Sequence, residues 1–200
     1  MSLEQNPEPK KDPETITQEV KYSQVSARVT DRVSSGVFSS GALLLNGQNE
    51  FILDFLQRMV QPQRVVARVV MSPPSLLSFC NALEENLSMY QSKFGTPPQL
   101  PPPPPGSVPL PIDELYAQLK IADEILEGSY SNAVMIRHSP SDFVFDFIAT
   151  FYPRSVVSAR VFMSASQIPP FLSTLKKGFQ QFRDKINLAS GPGQTPPSVT

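Results

Sequence analysis

The sequence predicts an α+β protein made of two tandem β-β-β-α repeats packed as an intramolecular pseudo-dimer. Three observations carry that expectation. Residues 36–95 fall without a gap on residues 128–187 when shifted by 92 positions (146 − 54), and so long an ungapped register marks duplication of one structural unit. Gly36 meets Gly128, Asp54-Phe55 meets Asp146-Phe147, Ala67-Arg68-Val69 meets Ala159-Arg160-Val161, and Met71-Ser72 meets Met163-Ser164. The 22 prolines gather at the two ends and in one central tract, so the apolar residues concentrate in the repeats. Within each repeat, short runs of apolar alternation give way to helical spacing. A three-stranded sheet with one helix is marginal alone, and pairing the repeats would cover more of each sheet.

Taken in order, residues 1–19 carry Pro7, Pro9 and Pro13 without periodicity and are expected to be disordered. The first repeat occupies 20–94. Its lead-in is ambiguous: 22–29 alternates like a strand, whereas the equivalent 112–126 places Ile112, Leu115, Tyr116, Leu119, Ala122, Ile125 and Leu126 at helical spacing, which predicts one amphipathic helix and a duplication that has diverged there. A first strand is expected at 37–45, matched by 129–137. A turn follows, Asn46-Gly47-Gln48-Asn49 in one copy and His138-Ser139-Pro140-Ser141 in the other. The second strand is 50–56 or 142–148, and the third, rich in β-branched residues, is 64–71 or 156–163. Ser72 then offers an N-cap with Pro73 at the tolerated first position, and Leu76, Leu77, Phe79, Cys80, Leu83, Leu87, Tyr90 and Phe94 recur on one helical face. Ile168, Phe171, Leu172, Leu175, Phe179, Phe182 and Ile186 do the same in the second copy. Between the repeats, 95–111 contains five consecutive prolines and reads as a semi-rigid polyproline linker, a ligand role for an aromatic groove being the alternative. The second repeat is 112–189, and 190–200 is a second expected disordered tail.

Composition removes several function classes. The formal charge is −1 with a pI near 5.9, so no global field favours nucleic acid or an anionic membrane. The one cysteine, Cys80, excludes an intramolecular disulfide and suits a reducing compartment. Neither a secretory signal nor an apolar run of membrane-spanning length is visible, and a cytoplasmic location is the expectation.

The charged residues with a definite place are the pairs Asp54 and Arg68, and Asp146 and Arg160. Strand two alternates Phe51, Leu53 and Phe55 against Ile52 and Asp54. A hairpin to strand three sets Asp54 opposite Arg68 and, in the other copy, Asp146 opposite Arg160. Both pairs then lie on the face away from the Phe-Leu-Phe stripe, a face expected to be partly buried. A cross-strand ion pair is the main reading, and a site for an anionic ligand the alternative. The remaining search for chemistry is sparse. His138, the one histidine, sits in an expected exposed turn, and Cys80 lies on an apolar helix face. Zinc-ligand spacing, phosphate loops and nucleophile elbows are not found, so neither a cofactor nor catalysis is expected. Lys176, Lys177, Arg183 and Lys185 form a basic side on the second helix, and Lys176-Lys177 aligns with Glu84-Glu85. Opposite signs at equivalent positions suit pairing of the repeats, or a partner surface.

Tyr130-Ser131-Asn132-Ala133-Val134, the step from Asp142-Phe143 to Asp146-Phe147, and Ala159-Arg160-Val161 with Met163-Ser164 resemble a small single-domain family of bacteria and archaea, domain of unknown function 3467. The first copy is degenerate, with Phe38 in place of the tyrosine and Ser40 in place of the asparagine. The resemblance implies a fold and no activity. The expected function is a non-enzymatic protein-binding or scaffold module acting through its helices or a free strand edge, with an unknown protein partner and homo-oligomerisation left open. Association with nucleic acid and binding of a small molecule, with or without catalysis, are the alternatives.

Overall fold

The computed structural model describes residues 27–189 apart from 103, 107, 109 and 152; both expected disordered tails lie outside the described residues. The first repeat runs β1 (Ala27–Val29), the single-turn helix α1 (Asp31–Ser34), β2 (Val37–Ser39), β3 (Gly41–Asn46), β4 (Phe51–Gln57), β5 (Arg64–Met71) and α2 (Pro73–Phe94). The second runs α3 (Ile112–Gln118), α4 (Asp123–Leu126), β6 (Ser129–Tyr130), β7 (Ala133–His138), β8 (Asp142–Ala149) and β9 (Ser155–Ser164). A 3-10 turn at Ala165–Gln167 then leads into α5 (Ile168–Ala189). The segment between α2 and α3 has neither helix nor strand among its described residues.

The hairpins follow the alternation. β3, β4 and β5 are antiparallel neighbours, as are β7, β8 and β9, with Asp54 opposite Arg68 and Asp146 opposite Arg160. Ser72 caps α2, its hydroxyl accepting from the Ser75 amide at 3.4 Å, with Pro73 at the first helical position.

The two repeats are not separate units laid face to face; they exchange parts. β6, from the second repeat, pairs in parallel with β5 of the first, and β1 and β2, from the first, pair in parallel with β9 of the second. The sheets therefore read β3-β4-β5-β6, and β1 with β2 on β9, followed by β8 and β7. What reads in sequence as one strand over 37–45 is two. The chain leaves one sheet at Ser39 and enters the other at Gly41, and the second copy makes the same passage at Ser131 and Ala133. A hydroxyl holds each bend. The buried Ser39 donates to the Gly41 and Leu56 carbonyls at 2.7 and 3.3 Å, and Ser131 to those of Ala133 and Ile148 at 2.9 and 3.2 Å. The Ser40 and Asn132 amides also donate to Leu56 and Ile148, so two residues oppose one, as in a β-bulge.

The helices cross over as well. α2 packs on β7 and β8, with Phe79 against Phe145 and Phe147, and α5 packs on β3 and β4, with Phe171 against Phe55 and Phe182 against Phe51. The apolar sheet face does receive a helix, but that of the other repeat. At the centre, equivalent rings meet across the pseudo-dyad: Phe55 with Phe147 at 5.5 Å and Phe79 with Phe171 at 6.1 Å. The main core is shared by both sheets and both long helices, and two smaller apolar clusters, around Val33 and around Leu119, lie under the lead-ins.

The lead-ins correct two expectations. Residues 112–126 are not one helix. The chain extends over 119–122 because Lys120 is tied to the edge of β5: its amide donates to Gln63 at 2.8 Å and its carbonyl accepts from Val65 at 3.0 Å. This matches β1 on β9: Arg28 pairs with Val156 and Lys120 with Arg64, and the shift of 92 positions carries Arg28 onto Lys120 and Arg64 onto Val156. The duplication has kept its geometry here: an extended contact, a helical turn (α1 or α4), a glycine at positive φ (Gly36 at 64°, Gly128 at 73°), then β2 or β6. Amphipathic spacing does not reveal that strand-edge hydrogen bonds outcompete the helix between 118 and 123. His138 also differs from expectation. It ends β7, half-buried, its ring 5.2–6.2 Å from those of Tyr90, Phe94 and Phe143. The helix that swaps onto its sheet encloses it, which the turn residues beside it do not signal.

Candidate functional site

Two places concentrate polar chemistry: a cleft on the pseudo-dyad and the outer edge of each sheet. The cleft arises from the exchange. Each lead-in touches the central strand of the other repeat twice and loops away between. β5 is contacted at Arg64 and again from Val69; β9 is contacted through Val157 and again from Val161. The intervening residues, with Arg68 and Arg160, Ala67 and Ala159, and Gly36 and Gly128, line a cleft of about 240 Å³.

The two arginines are clamps. The Arg68 Nε and Nη2 donate to the two oxygens of Asp54 at 2.8 and 2.7 Å, and Nη1 reaches the carbonyl of Leu126 in the other repeat at 3.3 Å. Arg160 does the same with Asp146, at 2.6 and 2.9 Å, and with the Ser34 carbonyl at 3.0 Å. The planar fork thus holds a buried carboxylate on its own sheet and the end of the other repeat's helical turn. Asp54 has no exposed surface, and it also accepts from the Tyr116 hydroxyl of α3. Burial, then the bond to Asp54, raises the Tyr116 pKa and keeps the phenol protonated. Asp146 takes its extra bond from Arg137, whose Nη2 lies 2.8 Å away. The hydrogen bond to its aspartate raises each arginine's pKa, against partial desolvation. These guanidiniums are engaged with internal acceptors, so the geometry describes a structural joint more than an open anion site.

The basic residues on α5 differ in their engagement. Lys176 is bound to Glu84 at 2.6 Å, joining equivalent positions of α5 and α2 across the pseudo-dyad. Lys177, Arg183 and Lys185 are exposed and make no ion pair among the described residues. Cys80 is buried in the core, and burial pushes its thiol up to about 11. No group of three or more metal-ligating side chains is found among the described residues.

The outer edges differ in character from the cleft. β3 and β7 each end a sheet, and no strand among the described residues pairs with their outer sides. Because the Gly47 amide bonds to Glu50, alternation turns the amides of Leu45 and Leu43 toward β4 and those of Ala42, Leu44 and Asn46 outward. The Ser139–Asp142 bond fixes the same alternation on β7, with Val134, Ile136 and His138 outward. Neither strand carries the proline or lysine that commonly blunts an edge. Arg58 lies over Gly41 beside β3, exposed and without an ion pair among the described residues. Sequence reasoning places the Asp-Arg pairs but does not single out Tyr116, the two crossover serines or Arg58. Gly36, Gly128, Ser39 and Ser131 do fall on one another in the repeat register, which was the available signal.

No helix among the described residues is long and apolar enough to cross a membrane. Comparison with curated proteins finds no match. The profile of one family, described as a protein of unknown function (DUF3467), matches residues 1–99 and again residues 102–186, and the chain belongs to that family, as two tandem copies of its domain.

Proposed function

We propose that this protein is a non-enzymatic protein-binding module that engages partners by strand addition at the outer edges of its two sheets. One observation carries the reading: β3 and β7 are six-residue edges without lysine or proline, each with three backbone amides turned outward. Such an edge is a template for an extended segment, whose main-chain bonds supply affinity while side-chain pockets supply selectivity. Two equivalent edges on one rigid body would make the module bivalent.

The test is affinity purification from the native host at low and moderate salt, with wild type beside the double variant Ala42→Pro/Val134→Pro. Each substitution removes one outward amide and leaves the inner ladder intact. The expected result is a reproducible stoichiometric protein partner at both salts, lost in the double variant while the melting temperature stays near wild type. Salt-labile nucleic acid without a reproducible protein would overturn the proposal.

A further inference from the structure

The two edges are equivalent in backbone and unequal in charge. α5 lies against β3 so closely that a side chain at Gly178 would meet Leu44, and the Asn46 amide donates to the Gly178 carbonyl at 3.3 Å. Between this helix and the first half of β3 runs a groove of about 160 Å³, bounded by Gly41, Ala42, Arg58, Pro170, Phe171 and Thr174, among others. The Arg58 guanidinium lies in it, and no carboxylate pairs with it among the described residues. At the other end, Lys185 lies seven positions beyond Gly178, on the same helical flank. α5 carries Lys176, Lys177, Arg183 and Lys185 against Asp184. The β7 edge lacks this pattern. The position equivalent to Arg58 is Thr150 (58 + 92), and the helix beside β7 is α2, with Glu84 and Glu85 against Lys93.

We infer that the β3–α5 groove docks an extended acidic segment of a partner protein, which adds to the sheet along β3 and sets an aspartate or glutamate side chain against Arg58. The inference rests on the strand-addition reading above and adds the chemistry of the occupant. The amides of Ala42, Leu44 and Asn46 supply the main-chain ladder, the groove takes the inward side chains, and Arg58 supplies a charge-assisted fork for one carboxylate. Lys185 on this flank, with the net positive charge of α5, raises the encounter rate with an acidic segment and disfavours a basic one.

The probe is a displayed library of random twelve-residue peptides selected against the full chain, followed by affinity measurements on the enriched peptides. Wild type is compared with Arg58→Glu, with Ala42→Pro and with Val134→Pro. The expected outcome is enrichment of peptides that alternate apolar residues and keep an acid at one position. Binding should fall on the order of tenfold or more in Arg58→Glu, fall also in Ala42→Pro, and hold in Val134→Pro, with all melting temperatures near wild type. Peptides without an acidic preference, or lost in Val134→Pro and retained in Arg58→Glu, would overturn the groove assignment while keeping the binding module. A selection that enriches nothing would count against both.

Discussion

A carboxylate with no exposed surface must find its counter-charge inside the protein, and Asp54 finds two donors: the Arg68 fork and the Tyr116 hydroxyl. Removing the acid would leave the Arg68 guanidinium, itself 14% exposed, without its partner. Asp54→Ala is therefore expected to destabilise the fold by about 3–5 kcal/mol, the range for an uncompensated buried charge. Asp146→Ala should cost less, because Arg137 is 55% exposed and can turn to water once released. Urea denaturation of both variants measures the difference; equal midpoints, or an Asp54→Ala midpoint at the wild-type value, would refute the ranking. The double variant Asp54→Ala/Arg68→Met should recover part of the loss if the unpaired charge is its main source. The pair itself was legible in the sequence, because period-two alternation and the hairpin fix which residues face one another. Tyr116 was not. It comes from a segment 62 positions away, and an apolar stripe gives no sign that one of its hydroxyls will reach a buried acid.

At the scale of the element, the lead-in is where sequence reading and structure part. Strand pairing within each hairpin is local and shows as alternation. The exchanged contacts of β1, β2, β6 and Lys120 are parallel and non-local, so no spacing in the chain encodes them. The register did carry one clue, the glycine shared by both copies. Gly36 and Gly128 turn the chain from helical turn into exchanged strand at positive φ, where any other residue is strained. They differ in the room they leave. A Cβ at Gly36 would come within 2.8 Å of the Arg160 side chain and collide with the Phe162 ring, whereas at Gly128 the nearest atoms, on Arg68 and Val70, are 3.1 Å away. Both alanine variants should lose about 1 kcal/mol from backbone strain, and Gly36→Ala should lose about 1–3 kcal/mol more from overpacking. Thermal unfolding of the two variants side by side checks the order; a less stable Gly128→Ala would show that the Arg160 contact is not the tighter one.

Exchange of strands and helices ties the two repeats together despite the two-repeat sequence. Each sheet takes strands from the other repeat, each long helix covers the other repeat's sheet, and Phe55, Phe79, Phe147 and Phe171 meet across the pseudo-dyad. A repeat on its own would expose those rings, each a burial of about 150–250 Å². The divergence between copies then decides who pairs with whom. Glu84 faces its equivalent Lys176, and the equivalents Arg32 and Glu124 both line the cleft, so a homodimer of either repeat would set like charges where the native chain has opposite ones. An exposed ion pair such as Glu84–Lys176 contributes about 0.2–1 kcal/mol, a small bias acting on a large shared core. Residues 1–99 and 102–200, produced separately, are accordingly expected to lack cooperative unfolding as monomers and to regain it when mixed, as a 1:1 complex favoured over either homodimer. Near-ultraviolet circular dichroism follows the recovery and native mass spectrometry counts the species. Reversing the bridge in one fragment, with Lys176→Glu, should shift the mixture away from the heterodimer, and the matching Glu84→Lys in the other should restore it. A monomeric half that unfolds as cooperatively as the full chain would mean that the exchanged strands and helices are dispensable, and the two repeats would then have to be understood as independent domains.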